Sequence, residues 1–266
     1  MAEKVDLYHS AYGNLEHETL AEIRRETYGR DIGQSSWITV DEYEKFGEWL
    51  RIDGDSRVLE VASGSGGPAL FLAERFGCSV TGVDINESGI ASAKRTAEQR
   101  GITNADFRYA NVDEPLPFAD DTFDAIICTD AANHFPDRLH VLREWHRLLK
   151  TGGRILFTDP VVITGPVSNV ELADRSNIGS FIFIPPDVTE KFIREAGLAL
   201  IMREDVTENV QTTSKRWLEA RENRREALLQ IEGEERYRGL QRFLSAVSTL
   251  TSERRLSRFA FLAEKR

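Results

Sequence analysis

Two carboxylates and a glycine-rich turn carry the chemistry that can be read first. The stretch Val58-Leu59-Glu60-Val61-Ala62-Ser63-Gly64-Ser65-Gly66-Gly67-Pro68 is a short apolar run, a glycine turn, and a proline that opens an amphipathic helix. Asp84 closes the next apolar run. Glycines at such a turn tolerate positive φ and let the backbone come close to a ligand. A carboxylate at the end of the following strand can accept from two ribose hydroxyls, and losing such charged hydrogen bonds costs about 1.5–3 kcal/mol. Strand, glycine turn, helix, strand and acidic end together mark a nucleoside cofactor site on a doubly wound sheet.

The turn alone leaves the cofactor open. Gly64-x-Gly66-x-x-Ala69 fits the dinucleotide fingerprint, with alanine as its third small residue, so an NAD-linked oxidoreductase is one reading. The same glycines serve the methionine part of S-adenosylmethionine equally well, and Asp84 serves either ribose. Glu60 separates the two. A carboxylate just before the turn repels a pyrophosphate and holds the cationic α-amino group of S-adenosylmethionine. Asn111-Val112-Asp113, after the third predicted strand, is placed to meet an adenine ring and its amino group.

The elements that must position these residues follow from periodicity. Strands are predicted over 57–62, 79–84, 106–110, 123–128 and 154–159. Helices run between them over 68–76, from Asn86 to Arg100, and from Asp137 to a stop at Gly152-Gly153. Ala125-Ile126-Ile127-Cys128 is apolar on both faces, as a buried parallel strand must be. This rhythm defines an α/β sheet with helices on both faces.

Ahead of it, Leu15–Tyr28 reads as a helix ended by Gly29, and 31–39 as a loop. Thr39 with Glu42 reads as a capping box for a helix bearing Tyr43, Phe46 and Trp49. Behind it, Gly165–Pro186 shows no clear period, 189–196 is a helix, and 198–206 is a strand. The segment 214–250 is a charged helical cap broken at Gly233 and Gly239, and 256–263 is a final strand. The domain organisation expected is a helical lid over 1–50, a cofactor-binding core over 51–162, the rest of the sheet with its helical insertion over 163–253, and a final strand over 254–266.

Composition narrows the function classes. A net charge of −10 argues against broad phosphate neutralisation, so nucleic acid is not an expected partner. No apolar run approaches the roughly 20 residues that span a bilayer, and the first residues lack the apolar core of a signal peptide. Cys78 and Cys128 make neither a disulfide framework nor a zinc site; both read as buried thiols, and no metal is expected. The expectation is a cytoplasmic protein acting on a small molecule, with homodimerisation left open.

The sequence resembles the class I S-adenosylmethionine-dependent methyltransferases. The matching pieces are Val58–Gly67, Val83-Asp84, Ala110–Asp113, Leu116–Asp124 and Leu148–Thr158, in the family's order and spacing across 57–160. The resemblance implies a Rossmann-like, doubly wound, seven-stranded sheet whose last strand is antiparallel, here with a helical cap. It implies cofactor contacts from Glu60, Ala62, Gly64, Gly66, Asp84, Ile85, Asn111, Val112, Asp113 and Thr129. Gly64-Ser65-Gly66 is a mild variant of the family's usual turn.

A narrower resemblance comes from Asp130-Ala131-Ala132-Asn133-His134, which looks like the Asp-Ala-x-x-His segment of small-amine N-methyltransferases of the phosphoethanolamine and sarcosine/dimethylglycine type. It implies that Asp130 holds a substrate ammonium or hydroxyl. It also implies that His134 accepts a proton or, with the lid residue Tyr28, closes the site. Ligands of open α/β sheets sit outside the carboxyl ends of the strands, where Asp130 and His134 fall. Trp37, Phe181 and Phe183 are candidates for an aromatic amine pocket. The lid departs from the family pattern in carrying Trp37 after Ser35-Ser36. The reading is a methyltransferase acting on a small amine; O- or C-methylation of a natural-product or quinone-like metabolite is the alternative, and the NAD enzyme or a silent cofactor-binding module is the more distant one.

Overall fold

The computed structural model describes residues 17–266. Among them a seven-stranded sheet has the order β3-β2-β1-β4-β5-β7-β6. Its strands are β1 (Arg57–Val61), β2 (Ser79–Asp84), β3 (Ala105–Tyr109), β4 (Phe123–Cys128), β5 (Leu149–Ile163), β6 (Leu198–Asp205) and β7 (Leu256–Lys265). The first five run parallel, and β7 pairs antiparallel with both β5 and β6. The strand order reverses between β1 and β4, so a crevice opens beyond their carboxyl ends, where ligands of such sheets bind.

Among the described residues two helices precede the sheet, α1 (Glu18–Tyr28) and α2 (Val40–Trp49). The crossovers are α3 (Gly67–Phe76), α4 (Glu87–Arg100) and α5 (Arg138–Leu148), followed by α6 (Asn169–Arg175) and α7 (Val188–Glu195). The cap is α8 (Thr207–Glu222), α9 (Arg225–Glu232) and α10 (Glu234–Ser252). Alternation along β1 sends Val58 and Leu59 to opposite faces. Val58 joins Leu70, Phe71, Phe107 and the α2 residues Tyr43 and Phe46; Leu59 joins Leu142, Trp145, Phe157 and Phe261. A third cluster ties Trp37 of the loop after α1 to Val210, Leu240, Phe243 and Val247 of the cap. Arg224 of the cap bonds Glu22 and Glu26 of α1. The N-terminal helices and the cap therefore form one roof.

Several boundaries differ from the sequence reading for physical reasons. The onset of α1 at Leu15 lies outside the described residues. Strand β5 is longer than expected at both ends. Leu149 already pairs with Phe123 ahead of a register shift, Gly152 takes φ +79°, and β7 extends the far end through Val162↔Ser257 and Ile163↔Leu256. Gly239 does not break the cap; it is buried within α10, where its carbonyl accepts from Asn177 Nδ2 at 3.0 Å. The segment without period contains α6, started by a full capping box, Ser168 with Glu171. The box expected at Thr39 is only half made. Thr39 accepts the Glu42 N–H, but the Glu42 carboxylate turns away to Arg258.

The roof loop 31–38 lies directly on the glycine turn. A Cβ added at Gly67 would sit 1.9 Å from the Ile32 carbonyl oxygen. Gly66, at φ +78°, packs against Ala93 and Phe107, which a Cβ would strike at 2.6 and 2.8 Å. Gly67→Ala is expected to displace the roof loop and lower stability by about 1–3 kcal/mol, as overpacking does. Thermal melting together with limited proteolysis within 31–38 checks this. An unchanged melting temperature and cleavage pattern would mean that the loop is not seated on the turn.

Candidate active site

A cavity of about 380 Å³ opens at the carboxyl ends of β1, β2 and β4. Its floor is Glu60, Ala62, Ser63 and Gly64 after β1, Asp84 and Ile85 after β2, and Thr129, Asp130, Ala131 and His134 after β4; Gly33, Ser35 and Ser36 of the roof loop cover it. Both central strands end in a left-handed residue, Ala62 at φ 57° and Asp130 at φ 56°. These turns bend the chain off the sheet and present the next backbone groups to the crevice.

Glu60 is 2% exposed. Tyr43 of α2 donates its hydroxyl to Oε1 at 2.5 Å, while Oε2 is buried without a hydrogen-bond partner. Burial, with the charge of Asp84 adding to it, pushes the Glu60 carboxyl up to about 8, against the pull of the Tyr43 bond. An orphaned buried acceptor is costly unless a partner arrives.

Asp84 accepts the Gly64 N–H at 2.7 Å through Oδ2 and the Asn86 N–H at 2.7 Å through Oδ1. Each oxygen keeps a second lone pair for a ligand hydroxyl. Burial raises its carboxyl, and the backbone N–H groups of Asn86 and Gly64 oppose the rise. Ile85 beside it is 61% exposed, an apolar rim that a flat ring could cover.

On the β4 side, His134 closes the short 3-10 turn Ala132–His134. Its Nδ1 lies 2.8 Å from the Ser180 carbonyl, so in the neutral ring Nδ1 carries the hydrogen and Nε2 the lone pair. Burial lowers its pKa, and the positive charges of Arg175 and Arg138 lower it further, against the Ser180 bond. The ring packs on Phe181 at 4.9 Å. Beyond Phe181, the Arg175 guanidinium lies 4.4 Å from that ring and 4.7 Å from the Phe243 ring. Phe243 in turn stacks on Trp37 at 6.1 Å. This wall borders a second cavity of about 30 Å³, and Ser35, Ser36 and Asp130 line both.

The geometry places several residues differently from the roles read for them from sequence. Asp130 is turned inward: Oδ1 accepts from Arg258 Nε (2.6 Å) and Thr158 Oγ1 (2.8 Å), and Oδ2 from the Trp37 N–H (2.8 Å) and Arg258 Nη2 (3.2 Å). Those four bonds take up its acceptor positions, so it does not offer them to a substrate ammonium. Tyr28 is not brought to His134. Its hydroxyl donates to the Ser36 carbonyl at 2.8 Å, and burial raises its pKa. Gly66 packs behind the turn instead of lining the cavity. Asn111, Val112 and Asp113 lie outside the cavity wall, although Ala110 joins them to the end of β2 through its N–H to the Asp84 carbonyl at 3.0 Å. Trp37 borders only the smaller cavity, and Phe183 borders neither.

The model of a methyltransferase domain matches residues 52–222, well over half of the chain. The chain belongs to that family. It is an S-adenosylmethionine-dependent methyltransferase. Its relatives include 27-O-demethylrifamycin SV methyltransferase of Amycolatopsis mediterranei, 28% identical over 81% of this chain and 84% of the relative. They also include glycine/sarcosine/dimethylglycine N-methyltransferase of Actinopolyspora halophila, 30% identical over 86% of this chain; the match spans 39% of that longer protein. A solved structure of a Haemonchus contortus phosphoethanolamine N-methyltransferase superposes with a TM-score of 0.81 at 19% identity, covering 97% of this chain and 60% of that one. At that identity the superposition speaks for the fold.

The methyltransferase site contains three residues that the sequence reading passed over. Tyr43 was read only as apolar, yet its hydroxyl donates to Glu60 Oε1. Arg175 sat in a stretch without period, though Ser168-x-x-Glu171 marked a helix that would carry it. Arg258 lay within the apolar run of β7, where a lone arginine on an interior strand is itself a signal of a buried charge partner.

The Glu60 environment sets a pH dependence. The folded-state carboxyl sits at about 8 against an ordinary value of 4.5, so the stability linked to this proton is fully present below 4.5 and is lost as pH rises through 8. Melting of the ligand-free methyltransferase should therefore fall more steeply between about pH 5 and 8 in the wild type than in Glu60→Gln. Equal slopes in the two proteins would refute this account of Glu60.

Proposed function

We propose that the enzyme methylates the nitrogen of a small amine that also bears an anionic group. The observation that carries the reading is the aromatic wall His134, Phe181, Arg175, Phe243, in which a neutral base and a guanidinium both pack against one aromatic ring. The relative named above for glycine, sarcosine and dimethylglycine supports it from a different direction.

In this reading Glu60 Oε2 holds the α-amino group of S-adenosylmethionine, Asp84 holds its ribose, and the apolar rim at Ile85 faces its adenine, with Asn111, Val112 and Asp113 beyond. Ala62, Gly64 and Thr129 offer backbone along the same wall. The cofactor supplies an electrophilic methyl group on a sulfonium.

What the chain must do is align the nucleophile, remove its proton and keep water out. His134 is suited to the proton: its Nδ1 meets the Ser180 carbonyl, and burial with two nearby arginines keeps the ring neutral. Arg175 orients the acceptor by its anionic end, and its two flanking phenyl rings hold the guanidinium in place. The roof loop excludes water. Two free, buried cysteines accord with action in the cytoplasm. Among the described residues, no helix is long and apolar enough to cross a membrane.

O-methylation is the second reading. The rifamycin relative, which aligns over most of both chains, is named for an oxygen acceptor, and a neutral His134 would serve a hydroxyl equally well. A panel of glycine, sarcosine, dimethylglycine, phosphoethanolamine and simple phenols, assayed for S-adenosylhomocysteine release, separates the two. The amine reading expects turnover with acid-bearing amines and none with phenols; the reverse result would overturn it. With the accepted substrate, His134→Ala should lower turnover at least about tenfold, a modest fraction of what general-base catalysis supplies. Affinity for S-adenosylhomocysteine should barely change. Equal turnover would remove His134 from the mechanism.

A further inference from the structure

Arg258 is 0% exposed and lines neither cavity. Its guanidinium nevertheless joins the three parts that make the site. Nε and Nη2 bond Asp130 after β4, and Nη1 bonds both oxygens of Glu42 on the roof helix α2, at 2.7 and 2.8 Å. Arg258 itself is part of β7, paired beside β5, from which Thr158 completes the Asp130 shell.

The consequence falls on one peptide of the roof loop. The Trp37 N–H donates to Asp130 Oδ2, and the Trp37 carbonyl accepts from Asn209 Nδ2 at 3.1 Å, while Asn209 also donates to Glu42 Oε2 at 2.8 Å. Trp37 follows Ser35 and Ser36, the residues that cover the main cavity. Without the guanidinium, Asp130 and Glu42 would be two buried carboxylates facing one another across its site. Burial raises the Glu42 carboxyl, and Arg258 is the foremost group opposing that rise. The roof loop is thus held down through charges that, among the described residues, Arg258 pairs.

We infer that Arg258 is a positioning residue for methyl transfer: acting through Asp130 and Glu42, it holds the roof loop closed over the bound cofactor. This rests on the cofactor occupying the main cavity as proposed above. A planar fork is required, because one lysine ammonium cannot serve two carboxylates with directed pairs of bonds.

The test is stopped-flow dissociation of S-adenosylhomocysteine from wild type, Arg258→Lys and Glu42→Ala, each with its melting curve. Failure of the wild type to bind would count against the cavity assignment, not against Arg258. With wild-type binding established, Arg258→Lys is expected to release the ligand at least about tenfold faster, with association little changed, since interface losses fall mainly on the off-rate. Glu42→Ala removes only the roof-side half of the bridge and should accelerate release at least about threefold. A residue that merely stabilised the fold would lower the melting temperature and leave the off-rate of the folded fraction alone. If Arg258→Lys does not fold, Glu42→Ala decides: an off-rate less than threefold above wild type overturns the inference.

Discussion

One guanidinium buried between two carboxylates is the constraint on which the rest of the site depends. Arg258 meets Asp130 from the sheet and Glu42 from the roof, and the two acid side chains are only 5% and 10% exposed. Burying a charge is tolerated only when it is paired and its hydrogen bonds are made; breaking such a pair by removing one partner costs about 3–5 kcal/mol. Here the bridge has directional content as well. It turns Asp130 inward, fixes the Trp37 peptide, and so sets the height of the loop that covers the cavity.

A second buried acid plays the opposite part. Glu60 has one oxygen capped by Tyr43 and one left without a partner, and its raised pKa records the cost of that arrangement. The protein holds a destabilised acceptor where a cationic ligand group would satisfy it. In the proposed reading a cationic amino group would favour ionisation of this carboxyl, whereas an anionic pyrophosphate would oppose it. The two acids differ in their partners: Asp130 is paired with Arg258, and Glu60 is met by the Tyr43 hydroxyl.

Much of the fold was legible because it repeats local signals. Strand ends, the Gly64–Gly67 turn, the Asn86 cap and the Gly101 stop are each signalled by a few neighbouring residues; their order implied the α/β sheet, and the family resemblance implied its antiparallel last strand. That Glu60, Gly64 and Asp84 would share one cavity wall was legible for the same reason, since one strand–turn–helix–strand unit sets all three. The acceptor side was not. Asp130 and Arg258 are 128 residues apart, and Glu42 and Arg258 are 216 apart, so no window along the chain shows them together. Glu42 even carried a misleading local signal, because its spacing from Thr39 suits a capping box. Tyr28 lay close to the site in sequence order, yet its hydroxyl meets the Ser36 carbonyl, a backbone group that side-chain types do not advertise.

The most direct test of the central claim is a crystal structure of the enzyme with S-adenosylhomocysteine bound. The account predicts the α-amino group within hydrogen-bond distance of Glu60 Oε2, the ribose hydroxyls on Asp84, and the thioether sulfur facing the side of the cavity that carries His134. A ligand whose amino group lies away from Glu60, or that binds outside the cavity under the 31–38 loop, would contradict it.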